Sequence, residues 1–462
     1  MRPVTDRTIE NRTFDEIAVG ETASVVRTLD TQDIELFAAV SGDVNPSHLD
    51  PEYAARDLFH KIVAHGMWGG SLISAVLGTK LPGPGTIYLG QDLRFLAPVG
   101  LGDTITASVT VREKRPEKQV VVLDCRCVNQ EGREVIVSTA EVKAPTEKVR
   151  RPAIELPDVR LGRHELYRKL LARCLGREPV PTAIIHPCDA TSLAAAAEAS
   201  AAGLIAPILV GPQGKVSAAA ESAGVDISRY RLVDVPHSHA AAAEAVRLVR
   251  AAEAAMLMKG SLHTDEMMAA VVAGESGLRT GRRMSHVYLF DVPAYPRPLL
   301  VTDAAINIAP TLEDKRDIIQ NAIDLARVLG IETPKVAILS AVETINPKLV
   351  STLDAASLCK MADRGQITGG VLDGPLAFDN AVSLEAARDK KIESAVAGQA
   401  DILVVPDLVS GNMLAKQLTF LAGADAAGVV LGAKVPIILT SRADGERTRL
   451  ASCAVAAELA RG

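Results

Sequence analysis

Hydrophobic positions follow two rhythms along this chain. Between residues 86 and 143, four Val/Ile/Thr-rich runs (86–99, 104–113, 119–129 and 134–143) are separated by the short polar breaks 100–103, 115–118 and 130–133. β-Branched runs that stop at Gly, Pro and charged turns predict strands, and connections this short fit an antiparallel meander. Upstream, residues 31–40 predict a helix with Asp30 as its cap and Gly42 just past its end. Residues 67–80 predict a longer helix crowded with Gly69, Gly70, Ser71, Ser74 and Ala75. A helix that neighbours can approach closely on several sides suits one wrapped by a sheet.

From about residue 160 the rhythm changes. Aliphatic runs at 182–186, 206–210, 254–258, 287–290, 299–301, 336–339, 402–405 and 435–439 alternate with helical stretches, several of them Ala-rich, such as 194–202 and 240–255. Aliphatic strands separated by helices predict a mostly parallel sheet covered on both faces. Such sheets bind ligands beyond the carboxyl ends of their strands. Residues 145–160, with three prolines and mixed charges, have linker composition. The expected division is a first domain over 1–145, a linker over 146–160 and a second domain over 161–462.

Composition narrows the function classes. A length of 462 residues suits two or three domains. The formal charge, 50 − 56 = −6, argues against a phosphate-backbone binder, and aromatics at 3% are too few for a stacking platform. No nucleic-acid partner is expected. Half of the fourteen aromatics (Phe14, Phe37, Tyr53, Phe59, Trp68, Tyr88, Phe95) fall in the first hundred residues, so the two parts have different core chemistry. The start of the chain lacks a signal-peptide pattern and no apolar run is long enough to cross a bilayer, so a cytoplasmic protein without a membrane partner is expected. Cys125 and Cys127 share one face of a predicted strand, but a single C-x-C without a second pair is a poor zinc signal, so reduced thiols and no metal are expected.

Two constellations carry candidate chemistry. In the first, Ser41-Gly42-Asp43-Val44-Asn45-Pro46-Ser47-His48-Leu49-Asp50 leaves a helix through Gly42 and turns at Asn45-Pro46. Asp43 and His48 are too far apart for one helical face, but a turn can bring both inward, where carboxylate and imidazole position and deprotonate a water. Taken alone, such a pair in a loop is more often structural. The segment resembles the signature of the MaoC-like (R)-specific enoyl-CoA hydratases. Val63-Ala64-His65-Gly66-Met67 is similar to the start of that family's central helix, and Asp92–Val99 with Gly102-Asp103-Thr104 to a family strand and turn. The resemblance implies an α+β hot-dog domain that reversibly hydrates trans-2-enoyl-CoA to (R)-3-hydroxyacyl-CoA. It implies that Asp43 and His48 hold the water and that the Gly66 N–H receives the charge developing on the thioester oxygen. Asn45 is counted with Gly66 among the substrate-binding residues, shaping the turn rather than performing chemistry, and His65 is read as a packed loop residue.

In the second, an aliphatic run ends in Thr440-Ser441-Arg442: a hydroxyl and a guanidinium at a strand's carboxyl end. That is a plausible phosphate site, though a helix cap with a solvated Arg is nearly as common. Residues 400–444, with a helix expected to begin near Gly411-Asn412, resemble the phosphate acyltransferases. So do Met258-Lys259-Gly260-Ser261-Leu262-His263-Thr264-Asp265, Gly277-Leu278-Arg279-Thr280-Gly281, Thr302–Pro310 and Gly369–Asn380. The resemblance implies an α/β domain of phosphotransacylase (isocitrate/isopropylmalate dehydrogenase-like) architecture exchanging an acyl group between CoA and phosphate. It gives Ser441 and Arg442 the catalytic roles and His263, Arg279, Gly370, Asp373 and Asn412 substrate contacts. The acetyl-specific branch carries an acid where this chain has Thr448; Asp444 and Glu446 are nearby carboxylates, neither at that position. It also has an Arg on the helix after the His-Thr segment, where this chain has Met267, Met268 and Ala269, leaving Arg279 to serve. Metal-dependent decarboxylating dehydrogenases of the same architecture need carboxylates where this chain has Asn412 and Lys416, which excludes that reading.

The combined expectation is a bifunctional acyl-CoA enzyme. Its partners are acyl-CoA, CoA and inorganic phosphate or acyl phosphate as substrates. No separate cofactor is expected, and the chain forms a homo-oligomer. The alternative is that one domain keeps acyl-CoA affinity without turnover.

Overall fold

The computed structural model describes residues 8–154, 159, 165–439 and 444–461. Two compact units divide between Leu161 and Gly162.

In the first unit a five-stranded antiparallel sheet has the order β1-β3-β4-β5-β2, with β1 (Thr22–Thr28), β2 (Ile87–Phe95), β3 (Thr104–Arg115), β4 (Val120–Val128) and β5 (Glu134–Lys143). The expected meander is β3-β4-β5. The run at 87–95 pairs instead with β5, and β1, which the sequence reading passed over, closes the other edge. Helix α1 (Thr31–Ser41) starts where the Asp30 side chain accepts from Asp33 N–H and stops at Gly42, whose φ of 75° is left-handed. The central helix α3 (Gly66–Thr79) follows the short α2 (Pro46–Leu49). It buries Trp68, Ile73, Val76 and Leu77 against Ile105, Val109, Leu123 and Val142, each such side chain contributing about 1.5–3 kcal/mol. Its small residues do what the pattern implied. A Cβ on Gly69 would lie 2.4 Å from Ile136 Cδ1, so the sheet wraps closely over this helix in the hot-dog manner. Cys125 and Cys127 are buried in this core, and burial pushes both thiols up to about 12.

The second unit is built on an eleven-stranded sheet. Its strands are β6 (Val180–Ile185), β7 (Ile205–Gly211), β8 (Arg231–Asp234), β9 (Met256–Lys259), β10 (Ser285–Asp291), β11 (Leu299–Thr302), β12 (Lys335–Leu339), β13 (Val371–Leu376), β14 (Ile402–Val404), β15 (Asp425–Leu431) and β16 (Ile437–Ile438). The order is β8-β7-β6-β9-β16-β15-β10-β11-β14-β12-β13. The strands from β8 to β16 are parallel, as are those from β11 to β13, but β15 is antiparallel to both its neighbours and β10 is antiparallel to β11. Three reversals leave the two parallel blocks pointing opposite ways. The carboxyl ends of the strands therefore divide between two edges: β6, β9 and β16 end at one, and β11, β12 and β14 at the other.

The helices cover the two faces unequally. One face carries a single core in which Ile184, Met258, Val287, Val429, Ile338 and Val404 pack against helices that include α6 (Glu446–Arg461). The other face carries two separate cores. One is built on Ile185, Leu257 and Val430 beneath α4 (Thr264–Val271), the other on Phe290, Val301 and Leu403 beneath α5 (Leu408–Phe420). Period-2 alternation points His286 and Tyr288 of β10 and Gly428 of β15 to this second face, between the two cores.

Candidate active sites

In the first unit the Asp43 loop, α2 and the start of α3 converge. Ser41 Oγ accepts from Asp43 N–H (3.2 Å), and the Asp43 carboxylate accepts from Asn45 N–H (3.1 Å). Asn45 in turn caps α2, its side chain accepting from Ser47 N–H. That fixes His48 on α2, with Nδ1 2.8 Å from the Val63 carbonyl oxygen. A carbonyl only accepts, so Nδ1 carries the proton and Nε2 keeps its lone pair. One ligand atom from each of Asp43, His48 and His65 lies within 4.8 Å of the others.

His48, His65 and Gly66 line a cavity of about 350 Å³ whose remaining wall is mostly apolar and includes Phe59, Trp68 and Phe95. No side chain caps α3 at His65, so the first N–H groups of that helix keep their donor capacity and partial positive charge. A Cβ on Gly66 would meet the Phe95 ring at 3.0 Å, which makes the close approach there specific to glycine. The geometry offers an apolar pocket lined by His48 and a helix N-terminus, with Asp43 beside His48.

In the second unit β9 ends in Gly260 and Ser261 against the end of β6. Gly260 N–H donates to the Ile185 carbonyl, and a Cβ on Gly260 would lie 2.4 Å from that oxygen and 2.6 Å from the His186 oxygen. Ser261 Oγ donates to the His186 carbonyl (2.9 Å), accepts from Cys188 N–H (3.1 Å) and sits 3.3 Å from His186 Nδ1. With its hydrogen committed to the carbonyl, this hydroxyl is a brace rather than a nucleophile. Both atoms that crowd Gly260 are backbone, which cannot swing aside. Gly260→Ala is expected to destabilise the second unit by about 2–4 kcal/mol, read as a fall in its denaturation midpoint.

At the opposite edge, Asp303 follows β11. Its buried carboxylate accepts from the N–H groups of Ala305, Ile306 and Asn307 and from the Asn307 side chain. Arg283 Nε donates to Asn307 Oδ1 (2.7 Å), and Asn412 Nδ2 donates to the Ala304 carbonyl (3.2 Å). A Cβ on Gly411 would lie 2.6 Å from the Asp303 carbonyl oxygen, so α5 docks directly on this loop. The loop amides that an anion would need are occupied by Asp303. Helix α5 starts at Leu408, capped by Asp407, rather than at Gly411-Asn412 as expected, because the Asp407 side chain takes Ser410 N–H.

Between the two cores, Gly428 makes room for two rings: a Cβ there would lie 2.9 Å from His286 Nε2 and 3.2 Å from Tyr288 Cε1. Burial, then the charge of Asp444, push the Tyr288 phenol up. Glu446 acts instead on Tyr167. His286 is fully buried and its Nδ1 has no hydrogen-bond partner among the described residues; burial holds its pKa down at about 4, against some opposition from Asp303. Between that value and 6.5 the unfolded chain binds a proton that the folded chain refuses. Stability of this unit should therefore be full above pH 6.5 and fall toward pH 4 by up to about 1.4 kcal/mol per pH unit from this group. Denaturant melts of wild type and His286→Phe across that range check it: the variant should lose this component of the slope.

The comparisons with known proteins match these two units separately. A family model described as MaoC like domain matches residues 16–130, and one described as phosphate acetyl/butaryl transferase matches 237–457. The phosphate acetyltransferase of Rhizobium meliloti is 63% identical over 291 residues, covering 63% of this chain and 92% of that protein. The chain belongs to the phosphate acetyl/butyryl transferase family. Its first unit carries a MaoC-like domain. Among solved structures, a branched-chain phosphotransacylase from Enterococcus faecalis V583 is 31% identical with a TM-score of 0.55, covering 61% of this chain and 99% of that one. The unliganded R-hydratase PhaJ1 from Pseudomonas aeruginosa is 47% identical with a TM-score of 0.33, covering 34% of this chain and 100% of that one.

In the transferase unit the expected residues are scattered. Ser441 and Arg442 lie outside the described residues. The strand that leads to them, β16, pairs in parallel with β9, placing Ile438 beside Met258 on the way to Ser261 and His263. His263 is exposed at the cap position of α4. Arg279 is exposed where residue 279 bridges Ala433 at the opposite edge, the edge that also holds Asn412. Gly370 and Asp373 belong to the end of the sheet at β13, six strand spacings from β16, roughly 29 Å along the sheet. A Cβ on Gly370 would press on Ile323 and the Pro334 carbonyl, and Asp373 accepts from the next N–H. The structure does not bring these two to the others. In the MaoC-like unit Asp43, Asn45, His48 and Gly66 do converge. Sequence reasoning set His65 aside and did not single out Asp303 or Tyr288. His65 and Asp303 stood inside quoted family segments, but nothing in a one-dimensional pattern separates a bridging side chain from a packed one.

Proposed function

We propose that the chain runs two reactions on acyl-CoA esters: acyl transfer between CoA and phosphate in the second unit, and reversible hydration of trans-2-enoyl-CoA in the first. The transfer reading is supported by family membership. Phosphate attacks the thioester carbonyl, the C–S bond breaks, and acyl phosphate and free CoA form. Arg442 neutralises phosphate charge, and Ser441 hydrogen-bonds the reacting oxygen. In reverse, a base must take the CoA thiol proton. Asp444 and Glu446 are the carboxylates near the missing acid, and neither stands at its position. The high identity to an acetyltransferase favours acetyl-CoA, whereas the residue pattern leans to the butyryl branch. Phosphate-dependent CoA release from acetyl-, butyryl- and longer acyl-CoA decides between them. No release at any chain length leaves the unit an acyl-CoA-binding module.

The hydration reading rests on one observation above the rest: Asp43 and His48 converge on one point beside the cavity that the N-terminus of α3 lines. In this reading the enoyl chain lies in the apolar pocket. The oxygen of a water held by Asp43 and His48 bonds to the β-carbon as the C=C π bond shifts electrons toward the thioester, the water's proton passes to His48 Nε2, and the acid–base pair then returns that proton to the α-carbon, so that one water is added and the enzyme is regenerated. Charge on the thioester oxygen is met by Gly66 N–H at the positive end of α3. Loss of absorbance of the conjugated thioester of crotonyl-CoA, with (R)-3-hydroxybutyryl-CoA as product, tests it. An unchanged spectrum with crotonyl- and longer enoyl-CoA overturns it.

A further inference from the structure

We infer that His65 is the positioning residue of the hydration site, tying the acid–base pair to the helix that stabilises the oxyanion; this rests on the hydratase reading. His65 is only 3% exposed. Its Nε2 lies 3.0 Å from the Asp43 carbonyl oxygen, so Nε2–H donates there and Nδ1 keeps the lone pair. That Nδ1 is buried and has no hydrogen-bond partner among the described residues. The ring lies against His48 with centroids 4.0 Å apart, and against Phe37 at 5.1 Å on the α1 side.

Two consequences follow from these contacts. The N–H to the Asp43 carbonyl fixes the backbone that carries the carboxylate, while the ring contact fixes the plane of His48. The two imidazoles thus hold opposite tautomers, His48 donating from Nδ1 and His65 from Nε2. His65 is also the cap residue of α3, directly before Gly66, so one residue sets the distance from Asp43 and His48 to the oxyanion donor. A plain packing role would need the ring's volume but not its N–H.

The test compares His65→Ala and His65→Gln in the full chain, Gln keeping an N–H at similar reach. A misplacement of about 1 Å at a reacting group can cost 10²-fold. His65→Ala is therefore expected to lower kcat for crotonyl-CoA hydration about 10²-fold with KM nearly unchanged, and His65→Gln to stay within about fivefold of wild type. Equilibrium binding of a saturated acyl-CoA and the dispersion of the first unit's amide resonances report that this unit is folded in each variant, and phosphate-dependent CoA release reports the same for the second unit. Nitrogen-15 spectra of histidine-labelled protein should show His48 as the Nδ1–H tautomer in wild type and His65→Gln, and as a mixture in His65→Ala. Full activity in His65→Ala overturns the inference, as does equal loss in both variants with the His48 tautomer unchanged. Should wild type hydrate no enoyl-CoA, the hydratase reading fails, and the tautomer comparison still decides whether His65 positions His48.

Discussion

Asp43→Asn is expected to lower crotonyl-CoA hydration by about 10³-fold while leaving thioester affinity near that of wild type. Asn keeps the size of Asp43 and can still accept from Asn45 N–H, so the turn that presents His48 survives. In the proposed hydration, what is lost is the negative charge that, with His48 Nε2, holds and activates the water, and positioned acid–base groups contribute about 10²–10⁴-fold. Binding depends on the apolar cavity and the α3 N-terminus, neither of which the substitution touches. Steady-state rates set against equilibrium binding of a saturated acyl-CoA separate the two effects. An activity within tenfold of wild type would remove Asp43 from the chemistry.

Arg442→Gln carries the second large effect, a fall of about 10²–10³-fold in phosphate-dependent CoA release, with the KM for phosphate raised. A guanidinium makes charge-assisted, bidentate bonds to phosphate, and bonds to charged groups contribute about 1.5–3 kcal/mol each. Arg442→Lys restores charge without the planar fork and should recover little of the loss. Ser441→Ala removes one neutral hydrogen bond and should cost less, about tenfold. Initial rates across a phosphate concentration series check all three variants. Equal loss in Ser441→Ala and Arg442→Gln would point to a local disturbance instead of lost phosphate contacts.

Much of this was legible in one dimension. Asp30, Gly42 and Asn45 do local work, a cap, a left-handed stop and a turn, and local hydrogen bonds leave local sequence marks. The small-residue run at 69–75 announced a helix wrapped closely, and Gly69 against Ile136 is that contact. Strand direction was harder. Aliphatic content marks β10 and β15 as buried but cannot say that they run against their neighbours, which is what divides the strands' carboxyl ends between two edges. Long-range bridges left no mark either. His65 reaches the Asp43 carbonyl across 22 positions and Asn412 reaches the Ala304 carbonyl across 108. Gly370 and Asp373 share a family segment with no reason in the sequence to sit six strands from β16.

The central claim is that one chain carries two separate sites for two reactions of acyl-CoA. Crossing the variants tests it most directly: enoyl-CoA hydration and phosphate-dependent CoA release are measured on the same preparations of wild type, Asp43→Asn and Arg442→Gln. The account predicts that Asp43→Asn loses hydration and keeps transfer, and that Arg442→Gln does the reverse. Loss of both reactions in either variant, or of neither in both, would contradict it.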